Sequence, residues 1–288
     1  MSIIEEIPLG QYKIPAALKL REAMLLNGIM FNSEVWHNIK EEDIEKISKV
    51  DEYLLRKILG APSKTPKEML YLETGCKPIR FIIKKRRLMY LHHILKRPKT
   101  ELINRFYRAQ KLKPSKNDWV KQIEEDIKEL KLELTDKYIK KLSKYKFKKI
   151  LEETIRKKAF EYLIRKKDMH SKVEHINFEK LELQKYLKAN SALDNEEKYL
   201  LFKFRTRMTQ MKTNYKNNFT ELKCKLGCNE EDEQSHLFQC DVLINNCENL
   251  ANNVTVEYED IFSTEISKQT KAIKLLAQIW STRLKLIE

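Results

Sequence analysis

Glycine is nearly missing from this chain: five residues in 288, where average usage gives roughly twenty. Strands joined by tight turns need residues that tolerate positive φ, and glycine supplies most of them. A large sheet is therefore disfavoured, while the abundant Leu, Ile, Lys and Glu all propagate helix well. The fold class that follows is all-α. The length is enough to bury a true core in two or three units. A hydrophobic content of 42% is too high for a disordered tail. No stretch of about 18 uncharged apolar residues occurs, so no membrane span is expected. Met1-Ser-Ile-Ile-Glu-Glu6 lacks the basic-then-apolar order of a secretion signal. Five cysteines, three of them clustered with a histidine, fit a reducing compartment and metal binding rather than a disulfide framework. The expected location is intracellular, in the nucleus, the cytoplasm or both.

The net charge of +15 is unevenly spread. Residues 77–113 carry thirteen Lys/Arg against the single acid Glu101. A basic excess packed into so short a stretch is the footprint of a phosphate-binding surface, whereas a merely solvated helix face carries mixed charge. Helical periodicity predicts a first helix over Ala16–Met30 and a second over Glu41–Leu59, ended by Gly60 and followed by Pro62. Thr65-Pro66-Lys67-Glu68 reads as a capping box with proline at the first helical position. Gly75 closes that short helix, and Pro78 starts the next, to Lys96. Within it Arg80, Lys84 and Arg87 fall at i, i+4 and i+7, a basic row opposite Phe81, Leu88, Leu91 and Leu95. Lys77, Lys85, Arg86 and Arg97 are expected to add charge around that row. The apolar side is expected to pack on the 41–59 helix. Further helices are predicted at Thr100–Lys111, Asp118–Lys131, Thr135–Leu142, Lys144–Lys167, Asn195–Lys216 (capped by Asp194 and Glu197) and Thr264–Ile287. Pro114 and the residues around Lys188–Ser191 read as linkers.

Cys224 and Cys228, then His236 and Cys240, form a C-x3-C-x7-H-x3-C cluster. Three thiolates and one imidazole suit a closed, tetrahedral, structural zinc site with no position left to activate water. Gly227 lets the chain turn between the first two sulfurs. Lys223 and Lys225 are expected to lower the thiol pKa values. Cys247 is an alternative to Cys240 as fourth ligand, and Cys76 reads as a buried thiol. Residues 198–225 hold eight Lys/Arg and one acid, and residues 226–265 hold ten acids and no Lys/Arg. On the basic side, Lys203, Arg205, Arg207, Lys212 and Lys216 interleave with Phe202, Phe204, Tyr215 and Phe219. That pattern suits phosphate contact with stacking, although Phe202 and Phe204 read better as core. His92-His93 and His170/His175 read as surface histidines. Trp36, Trp119 and Trp280 read as core or interface anchors.

Several stretches in order carry a resemblance. Ile29-Met-Phe-Asn-Ser-Glu-Val-Trp36 precedes Val50-Asp-Glu-Tyr-Leu-Leu-Arg-Lys-Ile-Leu-Gly60. Thr65-Pro-Lys-Glu-Met-Leu-Tyr-Leu-Glu-Thr-Gly75, Pro78-Ile-Arg80 and Arg86-Arg-Leu-Met-Tyr-Leu91 follow. This series resembles the region downstream of the polymerase active site in reverse transcriptases of non-LTR, LINE-like retrotransposons. Phe204-Arg-Thr-Arg207 before the Cys-Cys-His-Cys cluster is similar to the same proteins' zinc knuckle. The resemblance covers nearly the whole chain. It implies a thumb-like helical unit (1–113), a helical connector (114–194), a basic helix with a zinc knuckle (195–250) and a C-terminal amphipathic helix (251–288). It further implies RNA, DNA or their hybrid as partner, gripped during target-primed reverse transcription, with a separate catalytic core. Polymerisation needs paired aspartates for two metal ions, and no Asp-Asp dipeptide occurs. The fingers and palm are not in this sequence. The 48 residues after Cys240 are too few for the nuclease that some members carry there. No activity is therefore expected of the chain alone. The competing expectation is a helical protein-interaction scaffold with a structural zinc.

Overall fold

The computed structural model describes residues 10–115, 117–247, 256–263 and 265–287. The acidic N-terminus, Thr264 and the junction of the two last expected units, 248–255, lie outside the described residues. The described chain is mostly helical, with two isolated antiparallel bridges, Thr74–Leu183 and Lys223–Glu231, in place of any sheet.

The predicted first helix is α1 (Lys13–Leu20), a π turn over Arg21–Leu25 and α2 (Leu26–Ile29). Arg21 opens the π turn and points inward, donating twice to Asp51 at 2.6 Å, while the Tyr71 hydroxyl donates to the same carboxylate at 3.2 Å. α3 (Glu41–Leu59) has the predicted bounds, with Glu41, Glu42 and Asp43 in its first turn and Arg56 and Lys57 in its last. Those charges complement the helix dipole at both ends.

α4 (Lys67–Thr74) begins without the predicted capping box. Pro66 takes ψ 131 and stands outside the helix as its cap, so Thr65 is displaced one residue too far to reach the first free N–H groups. Its Oγ1 is buried without a partner. At the other end Gly75 has φ +68, and a Cβ there would meet the backbone of Glu182 and Leu183 at 2.4 Å. Only glycine permits that approach. Through it the 182–184 segment crosses the end of α4, held by Gln184 N–H donating to the Glu73 carbonyl at 3.0 Å.

α5 (Ile79–Lys96) starts one residue after Pro78, and α6 (Leu102–Leu112), α7 (Trp119–Glu129) and α8 (Asp136–Lys141) follow within two residues of their predicted bounds. α9 (Lys144–Lys167) again has the predicted bounds. It packs along α5 and α4 through Phe147, Leu151, Ile155, Ala159 and Leu163. A repeat of four residues keeps these side chains on one stripe. Each large apolar member contributes roughly 1.5–3 kcal/mol by leaving water.

α10 (Asn195–Arg205) carries the predicted Asp194/Glu197 capping box but stops eleven residues earlier than Lys216. Arg207 takes φ +51; Met208 N–H donates to the Lys203 carbonyl and Arg207 N–H to that of Phe204. This pair of bonds is a Schellman ending built without glycine. The chain continues as a 3-10 turn (Lys212–Asn218), the Cys/His segment, α11 (Asp241–Asn246), a turn over Tyr258–Phe262 and α12 (Ile266–Ile287). α12 packs on α10 and on the Tyr258–Phe262 turn, with Trp280 edge-on to Phe204 at 5.4 Å. One buried core extends from Ile14 to Ile279, and Phe202 and Phe204 are fully inside it.

Candidate metal centre and nucleic-acid surface

Cys224, Cys228, His236 and Cys240 come together, their ligand atoms all within 4.8 Å of one another. The local backbone explains how. Cys224 N–H donates to the Glu230 carbonyl at 2.9 Å and Asp232 N–H to that of Leu222 at 2.7 Å. The loop between them is thereby closed into a small hairpin. Gly227, at φ +91, turns inside it, where a side chain would be strained. His236 sits on a 3-10 turn (Ser235–Phe238), and Cys240 caps α11. Cys228 Sγ lies 3.2 Å from Cys240 Sγ and 3.3 Å from His236 Nε2. Ligands of a tetrahedral ion with bonds of about 2.0–2.3 Å stand roughly 3.5–3.8 Å apart, so the cluster fits one such ion. Cys247 is buried but is not part of the group, so the fourth position falls to Cys240.

At Cys228, burial and the neighbouring sulfurs act against the expected lowering of the thiol pKa values by Lys223 and Lys225. The Cys228 thiol is pushed up to about 12 by burial and then by hydrogen bonds from Cys240 and Cys224. Lys223 pairs with Glu221 at 3.4 Å instead. A thiol ligates a metal as the thiolate, so metal binding and deprotonation would be one event here. A buried carboxylate ties this centre to the rest. Asp232 accepts from Arg283 of α12 at 2.6 Å and from the Lys212 backbone N–H at 2.9 Å.

The basic tract on α5 is arranged differently from its sequence reading. Arg87 is buried and donates to both oxygens of Asp126 on α7 at 2.7 and 2.8 Å. Lys84 is buried against Glu129, and Arg80 pairs with Glu41. The i, i+4, i+7 row therefore faces α3 and α7, not solvent. Acids on two other helices decide this, because α5 mixes basic and apolar residues all round and its own pattern does not. Arg205 is likewise buried, donating to Glu73 at 2.9 Å among the rings of Phe178, Tyr186 and Phe262. With Arg21–Asp51 and Arg283–Asp232, these make four buried arginine–carboxylate pairs among the described residues.

Other expected contacts lie closer to solvent. Lys77 and Lys85 share Glu152 on α9. Burial would raise the Glu152 carboxyl, but hydrogen bonds from Lys85 and Lys77 outweigh it and hold it down at about 2. Among the described residues Arg86 bonds no acid; it donates to the Met30 carbonyl, Ser33 Oγ and Asn27 Oδ1. Arg97 lies 3.8 Å from Glu101. Lys203 and Lys212 are half-buried, and Arg207 and Lys216 are exposed.

A groove of about 890 Å³ runs between α5, α9 and the α1–α2 segment. Lys77, Lys85, Arg86, Lys96, Lys144 and Lys148 face it, against Glu22, Glu34 and Glu152. Lys96, Lys144 and Lys148 are exposed and stand in no ion pair among the described residues. Sequence reasoning missed this face, although Ile82, Lys85, Arg86, Met89, Tyr90, His93 and Lys96 recur at helical spacing on α5. His92, expected at the surface, is buried, with Nε2 at 3.0 Å from the Leu142 carbonyl and its ring stacked on Phe147.

The chain matches no family model, no curated protein and no solved structure. Among the described residues, no helix is long and apolar enough to cross a membrane. What the geometry offers is a Cys3His group that could hold a metal ion and, apart from it, a cation-lined groove.

Proposed function

We propose that this chain is the nucleic-acid-binding C-terminal portion of a non-LTR retrotransposon reverse transcriptase. A thumb-like helical unit, a helical connector and a zinc knuckle would grip template and primer while the polymerase carboxylates sit elsewhere. The supporting observation is the groove between α5 and α9, where, besides the buried and paired Arg21, six Lys/Arg stand against three Glu. Fixed cations along a concave wall attract a polyanion and release its counterions on binding. The ordered motifs from Ile29 to Leu91 and the Cys3His group agree with that reading. Zinc is the ion of choice for three thiolates and an imidazole. Cys224, Cys228, His236 and Cys240 would hold it, and its role is to fold the 222–247 segment.

Binding of labelled RNA, DNA and hybrid oligonucleotides across a salt series tests this reading. Affinity falling steeply with salt supports it, and binding indifferent to salt, or none, overturns it. Untagged protein should carry about one zinc per chain. A Cys228→Ser/His236→Ala variant that keeps a full complement of zinc would remove these residues as ligands. Primer-extension assays with magnesium should show no turnover by the chain alone.

One observation favours the scaffold reading instead. Leu102 and Phe106, one turn apart on α6, are 65% and 62% exposed, an apolar pair of the kind that binds protein partners. A salt-insensitive protein complex that is lost on Phe106→Asp would support it.

A further inference from the structure

The groove holds more than charge. Tyr90, on its α5 wall, is half-buried and held from two sides. Trp119 meets it edge-on at 5.8 Å and 84°. His93 stacks on it at 6.0 Å and 10°. Trp119 is itself anchored, its Nε1–H donating to the Glu34 carbonyl at 2.9 Å. The three rings form a ladder from the buried Trp119 to the exposed His93, and Arg97 reaches the His93 ring at 3.4 Å. Along the same face of α5 lie Lys85, Arg86 and Lys96, and across the groove lie Lys144 and Lys148. Cations on both walls suit a phosphate backbone, and an aromatic face between them suits a base.

We propose that this groove binds unpaired nucleotides, with a base stacked on the His93–Tyr90 ladder and the backbone held by the lysines of both walls. Duplex conceals the faces of its bases in the stack and offers only phosphates and groove edges, so the ladder would have nothing to hold. Single strands expose a π-face at each nucleotide, and a stacked base contributes about 1–3 kcal/mol whatever its identity. Ordering matters too. A tyrosine already fixed by Trp119 and His93 loses little freedom on binding, so stacking costs less entropy than on a loose side chain. The preference is thus for strandedness and not for sequence.

This inference rests on the nucleic-acid reading above, and the test separates the two. Affinities of a labelled oligo-dT, an oligo-U and an equal-length dA–dT duplex are measured for the native chain, His93→Ala and Tyr90→Leu. His93 is exposed, so its loss should leave the fold intact; thermal melting checks Tyr90→Leu, whose ring contacts Trp119. The expected result is weaker single-strand binding by about 5- to 150-fold in each variant, with duplex binding and the salt slope unchanged. Equal weakening on single strand and duplex, or none on either, overturns the stacking role while leaving a backbone-binding groove. Absence of all nucleic-acid binding by the native chain overturns both readings together.

Discussion

The two sides of α5 carry similar charge and do opposite things with it. On the side facing α3 and α7, Arg80, Lys84 and Arg87 each meet a carboxylate, and two of the three are buried. On the groove side, Lys85 shares one glutamate with Lys77, Arg86 has only neutral partners among the described residues, and Lys96 is exposed. The first set closes the helix bundle, and the second leaves positive potential directed at solvent. Density of lysine and arginine in a sequence therefore does not locate a binding surface. The acids that neutralise some of them do, by subtraction.

The largest effect that would sharpen the contrast is on stability. Arg87→Ala leaves Asp126 buried without its cation, and removing one partner of such a pair costs about 3–5 kcal/mol. Burial pushes the Asp126 carboxyl up and Arg87 works against that, so the variant should move it further up. Denaturant unfolding should show the loss, with the salt slope of nucleic-acid binding unchanged at temperatures where the protein stays folded. A cost below about 1 kcal/mol would mean that Arg87 is no more structural than a surface residue.

The Glu152 linkage is the next effect. Its carboxyl lies at about 2, below the ordinary 4.5, so its ion pairs contribute stability that is present above 4.5 and lost as pH falls towards 2. Acid unfolding of Glu152→Gln should therefore be less steep than that of the native chain in this window. The same variant frees Lys77 and Lys85 and should tighten nucleic-acid binding. Identical acid limbs would show that the pairs do not form in solution. The smallest effect belongs to Arg80→Ala, which removes a pair with the exposed Glu41 and should change stability by about 0–1 kcal/mol.

What could be read from the sequence divides along the same physical line. α3 and α9 were legible to their ends because local signals agree: terminal acids and Gly60 in one, a four-residue apolar repeat in the other. The metal group was legible because ligand type and spacing leave few alternatives within 17 residues. The end of α10 was not, because the Schellman ending uses Arg207 where glycine is the usual marker. The exposed face of α5 was not legible either. Which side of α5 is closed off is set by Glu41, Asp126 and Glu129, which reach it from two other helices.

The most direct measurement compares two triple variants across one salt series. Lys96→Ala/Lys144→Ala/Lys148→Ala removes three exposed groove lysines that hold no acid among the described residues. Arg80→Ala/Lys84→Ala/Arg87→Ala removes the paired side. The groove variant should melt like the native chain and flatten the log K against log salt slope by about 2 to 3 units. The paired-side variant should melt lower with its slope unchanged. The opposite assignment, a flattened slope from the paired side and a native slope from the groove, would contradict the claim that the groove side of α5 is the nucleic-acid surface.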